Sequence, residues 1–231
     1  MKTIQLNLYS FEELDEKAKQ IALAAYFELN TDYGWWDYTY DDFITICGCL
    51  GVTVDKKSMA FEGFYSQGDG SGFNAEVDLS RLLNSIKNRG WRGYAPKLDF
   101  DFTLPTIDKR VLRLVTNGKI DTNPKIIKRQ NSYAVVVDLG VYPAEQGARD
   151  HSHTYGELDE LEKWFNGIAQ TLNRFLFKQL QQEYEYQTSD EALAEVIEAN
   201  DYHFLADGSK ANAIEKLVTT KTISKNENEL F

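Results

Sequence analysis

Between Glu157 and Tyr186, apolar side chains recur at helical spacing: Leu158, Leu161, Phe165, Ile168, Leu172, Phe175, Leu176, Leu180 and Tyr184. A stripe of this length predicts one long amphipathic helix, and such a helix is stable only when its apolar face is buried. Thr154 and Glu157 have capping-box spacing at its start. Thr188 and Glu191 repeat the signature before "ALAEVIEAN", which predicts a shorter helix after a turn.

The upstream chain alternates between the two periods. "TIQLNLY" places Ile4, Leu6 and Leu8 on one face of a strand. Ser10 and Glu13 then have capping-box spacing before a helical stripe of Phe11, Leu14, Ala18, Ile21 and Ala25. Trp36, Tyr40, Phe43, Cys47 and Leu50 form a second stripe, which Gly51 is placed to end. The runs "VTVD", "MAFEGFYSQ" and "GFNAEVD" read as strands, and "LSRLLNSIKNRG" as a short helix closed by Gly90. "KLDFDFTL" alternates cleanly, which predicts a strand with Leu98, Phe100, Phe102 and Leu104 inward. "DKRVLRLV" has helical character, and "PKIIKRQ" with "YAVVVDLGVY" reads as a hairpin. The fold class expected is therefore α+β: a mostly antiparallel sheet packed against a long C-terminal helix and two N-terminal helices. With no linker or repeat, residues 1–210 are expected to form a single α+β domain and 211–231 a polar C-terminal tail.

Charge bounds the partners. Lys and Arg number 25 against 36 Asp and Glu, so the net charge of −11 opposes attraction to nucleic acid or anionic lipid and favours a basic protein partner. No apolar run is long enough to span a membrane, and "MKTIQLNLYS" lacks the apolar core of a signal peptide, which places the chain in the cytoplasm. Cys47 and Cys49 read as buried, inert thiols at the end of a helix.

The densest glycine stretch, "AFEGFYSQGDGSGF", invites comparison with phosphate and metal loops. A P-loop requires Lys and Ser or Thr directly after its last Gly, whereas Phe73 and Asn74 follow Gly72. A dinucleotide fingerprint would need glycine where Phe73 stands, and a calcium loop starting at Asp69 would need a ligand oxygen there. The remaining reading is a β-hairpin whose turn presents Tyr65, Gln67, Asp69 and Ser71 to a small polar ligand or a partner's backbone, or simply reverses the sheet. In "DYGWWDYTYDD", Trp35 and Tyr38 fall off the core stripe, where exposed aromatics beside acidic residues suit a protein interface. His151 and His153 in "RDHSHTYGE" point to the same side of an extended segment, so with Asp150 or Glu157 they are candidate metal ligands. No nucleophile motif is present and no cofactor is expected.

Four stretches, "YSFEELDEKAKQIA", "WWDYTYDDF", "GFYSQGDGSGF" and "EYEYQTSDEALAEVIEANDYHFLADG", resemble a family of bacteriophage and prophage proteins of unknown activity, some loosely labelled antitoxin-like. The resemblance implies a phage or mobile-element origin and brings no catalytic residues with it. Three functions are expected on these grounds. The first is an accessory protein in the host cytoplasm that binds a host protein through an acidic surface, for example to inhibit a nuclease-based, nucleic-acid-binding defence component, with homodimerisation open and no direct nucleic-acid contact. The second is a binder that sequesters a small ligand or nucleotide. The third is a metal-dependent hydrolase at His151 and His153.

Overall fold

The computed structural model of the chain describes residues 6–130, 132–141 and 154–211. In chain order its elements are α1 (Glu16–Ala25), α2 (Asp37–Cys49), β1 (Val52–Glu62), β2 (Gly70–Val77), α3 (Leu79–Asn88), a 3-10 turn (Gly90–Gly93), α4 (Lys109–Thr116), β3 (Lys125–Lys128), β4 (Val135–Asp138), α5 (Tyr155–Gln187) and α6 (Asp190–Ala199). The fold is α+β: the four strands form one antiparallel sheet in the order β1-β2-β3-β4, and α5 packs against it. The chain divides into two compact units, residues 36–181 and residues 1–35 with 182–231.

The unit of residues 36–181 holds the whole sheet. Strand β2 is buried at each position from Gly70 to Phe73 and alternates beyond it, with Ala75 and Val77 buried while Asn74 and Glu76 reach solvent. Its inner face meets α5, whose residues Leu158, Leu161, Phe165, Ile168, Leu172, Leu176 and Leu180 are buried along the stripe read from the sequence. Phe73 sits edge-on to Phe43 of α2 at 5.1 Å, and Phe43 also meets Phe175 of α5 at 6.3 Å. Burying each large apolar side chain contributes about 1.5–3 kcal/mol, so this interlayer stack dominates the unit's stability.

Polar side chains fix the register between layers. Ser71 Oγ lies 3.0 Å from both the backbone oxygen and Oδ1 of Asn173 in α5, and Asn173 Nδ2 donates to the Ser71 carbonyl at 2.8 Å. Both residues are buried. The "VTVD" and "MAFE" runs form one strand, β1, interrupted by a register shift between Asp55 and Ala60. Ser58 occupies that shift, its Oγ accepting the Asn74 amide at 2.7 Å, while Asn74 Oδ1 accepts the Lys128 amide on the other side. Side chains thus take the place of ladder bonds on both edges of β2 at one level.

The segment "KLDFDFTL" departs from expectation. It keeps the alternation through Phe102, with Leu98 and Phe102 half-buried and Phe100 buried, but Leu104, expected inward, is exposed, and the segment forms no strand. The rings of Phe100 and Phe102 stack at 4.7 Å against Trp91, and Phe100 meets Phe175 edge-on at 5.2 Å. Two backbone carbonyls that a ladder would use accept indole N–H groups instead, Leu98 from Trp91 at 3.1 Å and Thr103 from Trp164 at 2.7 Å. At the end of α3, Arg89 rather than Gly90 takes the left-handed conformation, with φ of 52°.

In the unit of residues 1–35 and 182–231, α1 and α6 share a core of Phe11, Leu14, Ala18, Ala22, Leu23, Tyr26, Leu193, Ile197 and Phe204. The Ser10–Glu13 pair closes a turn, and the helix begins after Asp15, whose carboxylate caps Ala18 N at 2.8 Å. The later start rotates the buried face, so Ala22, Leu23 and Tyr26 are buried while Ile21 and Ala25 are exposed. Likewise Ser189, one residue beyond the predicted Thr188, caps α6. No strand forms over residues 6–9, where Tyr9 makes a single bridge to Phe204. The chain turns at Asp207 and Gly208, and Gly208, at φ of 83°, lies directly on the Ala18 carbonyl, where no side chain fits.

Removing one partner of the Ser71–Asn173 pair leaves buried polar groups unmet, which costs about 1–3 kcal/mol per group. Asn173→Ala is therefore expected to lower unfolding free energy by about 3 kcal/mol in a urea titration. Ser71→Ala with Asn173→Leu together are expected to cost less than the sum of the two single changes.

Candidate functional site

The β1–β2 hairpin is formed as predicted, and its connection, residues 63–69, is closed by a carboxylate. Asp69 Oδ2 accepts the amides of Tyr65 at 2.7 Å and Ser66 at 2.6 Å. Gly63 has φ of 54°, and the Asp69 carboxylate occupies the space where a side chain would begin. Gly70 and Gly72 serve close packing: a β-carbon on Gly70 would lie 2.6 Å from the Tyr133 carbonyl, and on Gly72 2.7 Å from Lys128 Cγ.

Aromatic rings fix the connection to the layer beneath. Phe64 stacks on Phe61 at 5.7 Å and meets Phe177 of α5 at 5.5 Å, while Phe61 receives Trp36 and Tyr40 of α2 edge-on at 5.5 and 6.4 Å. Tyr133 hydrogen-bonds Glu62 at the end of β1, which holds its phenol above the ordinary range. Phe64, Phe61, Trp36 and Phe177 are half-buried, and Tyr65 beyond them is 70% exposed. The result is an aromatic ledge that ends in the exposed ring of Tyr65, which meets Phe64 edge-on at 6.4 Å.

These positions sort the predicted site residues. Tyr65 and Gln67 stand in solvent at the tip. Asp69 is not presented outward, because its carboxylate is turned onto the backbone amides of its own loop. Ser71 is not on the turn at all; it is the second residue of β2, fully buried against Asn173. Tyr38 is exposed as expected, at 86%, on the face of α2 that carries Asp41 and Asp42. Trp35 corrects the reading from helical spacing. It precedes α2, so the helical face does not govern it, and it is buried with its ring 5.7 Å from Tyr184. His151, His153 and Asp150 lie outside the described residues, and Glu157 accepts the Asp108 amide at 2.8 Å. Among the described residues, no group of three or more His, Cys, Asp or Glu is arranged to hold a metal ion.

The acidic residues of α2 already have partners. Lys56 lies 2.6 Å from Asp41 and 3.8 Å from Asp37, and Tyr94 donates its hydroxyl to Asp42 at 2.6 Å. Cys47 is buried, and burial followed by the neighbouring Cys49 pushes its thiol up, out of the range of a nucleophilic thiolate. Burial, then the charge of Asp37, pushes the Tyr40 phenol up to about 12.

Sequence reasoning missed Asn173 and the ledge residues Phe61, Phe64 and Phe177. Asn173 carried a signal, since it stands four residues after the buried Ala169 within an apolar stripe. The ledge carried none, because its members come from three elements.

Fold and surface together define an α+β domain that presents an aromatic hairpin. Residues 35–190 match the family described as a domain of unknown function, DUF8835, and the chain belongs to that family. The match covers the whole of the unit of residues 36–181. No curated protein and no solved structure matches the chain. No helix among the described residues is long and apolar enough to cross a membrane.

Two outcomes follow from this geometry. Asp69→Ala is expected to cost about 1 kcal/mol and to raise hydrogen exchange at the Tyr65 and Ser66 amides while leaving the β2–β3 amides protected. For Tyr40, the folded state holds its proton more tightly than the unfolded chain, so its contribution is complete below pH about 10 and is lost as pH rises toward about 12. Tyr40→Phe is expected to flatten that part of the stability–pH curve by roughly 2 kcal/mol, measured by urea titration across the range.

Proposed function

We propose that this chain is an accessory protein of a phage or mobile element that acts by binding a basic host protein, and that the unit of residues 1–35 and 182–231 supplies the docking surface. One observation carries the reading. The described residues of that unit, 6–35 and 182–211, hold 14 Asp and Glu against 3 Lys and Arg, whereas the described residues of 36–181 are balanced at 17 against 17. The charge of −11 is thus concentrated in the unit that lies mostly outside the family match.

Two of the three cations there are engaged at home: Lys210 sits 4.0 Å over the Tyr26 ring, and Lys19 lies 3.6 Å from Glu16. The exposed side of α6 carries Glu191, Glu195 and Glu198. The same unit exposes Tyr33, Tyr186 and Phe27, the residue types that anchor protein interfaces. An acidic field steers a basic partner and the aromatics supply short-range burial. A nuclease of a host defence system fits this description, because its nucleic-acid groove is basic. The resemblance to phage and prophage proteins supports the same setting.

The test is affinity capture from host extract with the wild-type chain, the Glu191→Lys/Glu195→Lys/Glu198→Lys variant and the Tyr33→Ala/Tyr186→Ala variant. A basic protein is expected to co-purify with the wild type and to be lost by at least about tenfold with either variant. Capture of no protein, or equal capture by all three chains, would sink the proposal.

A further inference from the structure

The near balance of residues 36–181 conceals a second segregation. From Leu79 to Arg129, covering α3, the 3-10 turn, α4 and β3, the chain holds 12 Lys and Arg against 4 Asp and Glu, an excess of +8, and it stays basic at +3 when the five carboxylates that the fold sets against these elements are counted: Asp78 at the α3 cap, Asp42 on Tyr94, Glu157 on the Asp108 amide, and Glu76 and Asp138 opposite Lys125. Of the four carboxylates within the segment, Asp99 lies 2.9 Å from Arg92 and 3.9 Å from Arg89, and Asp108 caps the Arg110 amide at 2.6 Å. The fold gathers these elements: Ser80 Oγ at the start of α3 donates to the Thr116 carbonyl at the end of α4, and the Val77 amide, just before α3, donates to the Pro124 carbonyl, just before β3. Lys87, Lys97, Arg110, Arg113 and Lys119 are all exposed.

We infer that this α3–α4–β3 surface binds the phosphate backbone of nucleic acid. The inference stands apart from the acidic docking surface and corrects an argument from net charge. At physiological salt, charges are screened over about 8–10 Å, so a phosphate at the α3–α4 surface responds to the charges beside it, where cations are in excess, rather than to the net charge of the chain. Side-chain composition favours nucleic acid over an acidic protein. Half of the 12 cations are Lys, which protein interfaces avoid, and the large exposed apolar side chains of the segment are only Tyr94, Leu104 and Ile127. Phosphate recognition needs no apolar centre and uses Lys and Arg alike.

The experiment is fluorescence anisotropy with labelled duplexes of about 25 base pairs, in DNA and RNA, using the full chain. Engagement of about four phosphates predicts that log K falls against log salt with a slope near −3.6 on DNA, about a 100-fold loss between 50 and 200 mM. Unrelated sequences are expected to bind alike. Lys87→Gln/Lys97→Gln/Arg110→Gln/Arg113→Gln is expected to weaken both duplexes at least tenfold, with an unchanged far-UV spectrum and melting temperature. The inference is overturned if neither duplex binds at about 20 mM salt. Equal binding by a folded variant, or binding of poly-L-glutamate where both duplexes fail, overturns it as well. Capture of no host protein, or equal capture by all three chains in the affinity test, would leave this outcome untouched, so the two readings fail separately.

Discussion

The domain of residues 36–181 turns on one buried polar contact, the reciprocal pairing of Ser71 with Asn173. Apolar packing between the sheet and α5 supplies most of the energy, yet it tolerates sliding, since one leucine can replace another along a helix stripe. A buried hydroxyl and amide do not tolerate it, because any shift strands polar groups away from water. The pair therefore sets which residue of β2 faces which turn of α5. The position of the hairpin follows from it, because β2 begins one residue earlier at Gly70 and Phe64 reaches Phe177 one turn farther along α5.

From that anchor the hairpin connection is specified in detail. Gly63 admits the Asp69 carboxylate, Asp69 ties down two amides, and Phe64 lies against rings of the strand and of α5. A glycine-rich stretch that resembles a ligand loop is thereby used up internally, and its solvent-exposed surface reduces to Tyr65, Gln67 and their neighbours at the tip. Preorganisation of this kind lowers the entropy cost of presenting an aromatic ring to another molecule.

Charge is organised on a different scale. A chain of net −11 is divided into an acidic unit, a basic stretch from Leu79 to Arg129, and acidic residues of α2 that are already paired with Lys56 and Tyr94. Because screening in salt acts over about 8–10 Å, a partner meets the charges beside it rather than the net charge of the chain. Net charge describes solubility well and recognition poorly.

Much of the architecture was legible in the residue order. The stripe from Leu158 to Leu180 foretold α5, and the two hairpins and the antiparallel class followed from alternation and turn residues. These are local properties: a period of 3.6 or 2 decides which face is buried whatever lies against it. Whether a segment pairs, and where a side chain finally points, was decided by partners distant in sequence. "KLDFDFTL" has the burial of a strand without its ladder, because Trp91 and Trp164 take its carbonyls. Trp35 is buried because it precedes its helix, and Ser71 lies inside because Asn173, 102 residues away, completes its hydrogen bonds. Sequence alone determined the elements and their buried faces; the tertiary structure decided which polar groups were consumed in holding them together and which were left to meet another molecule.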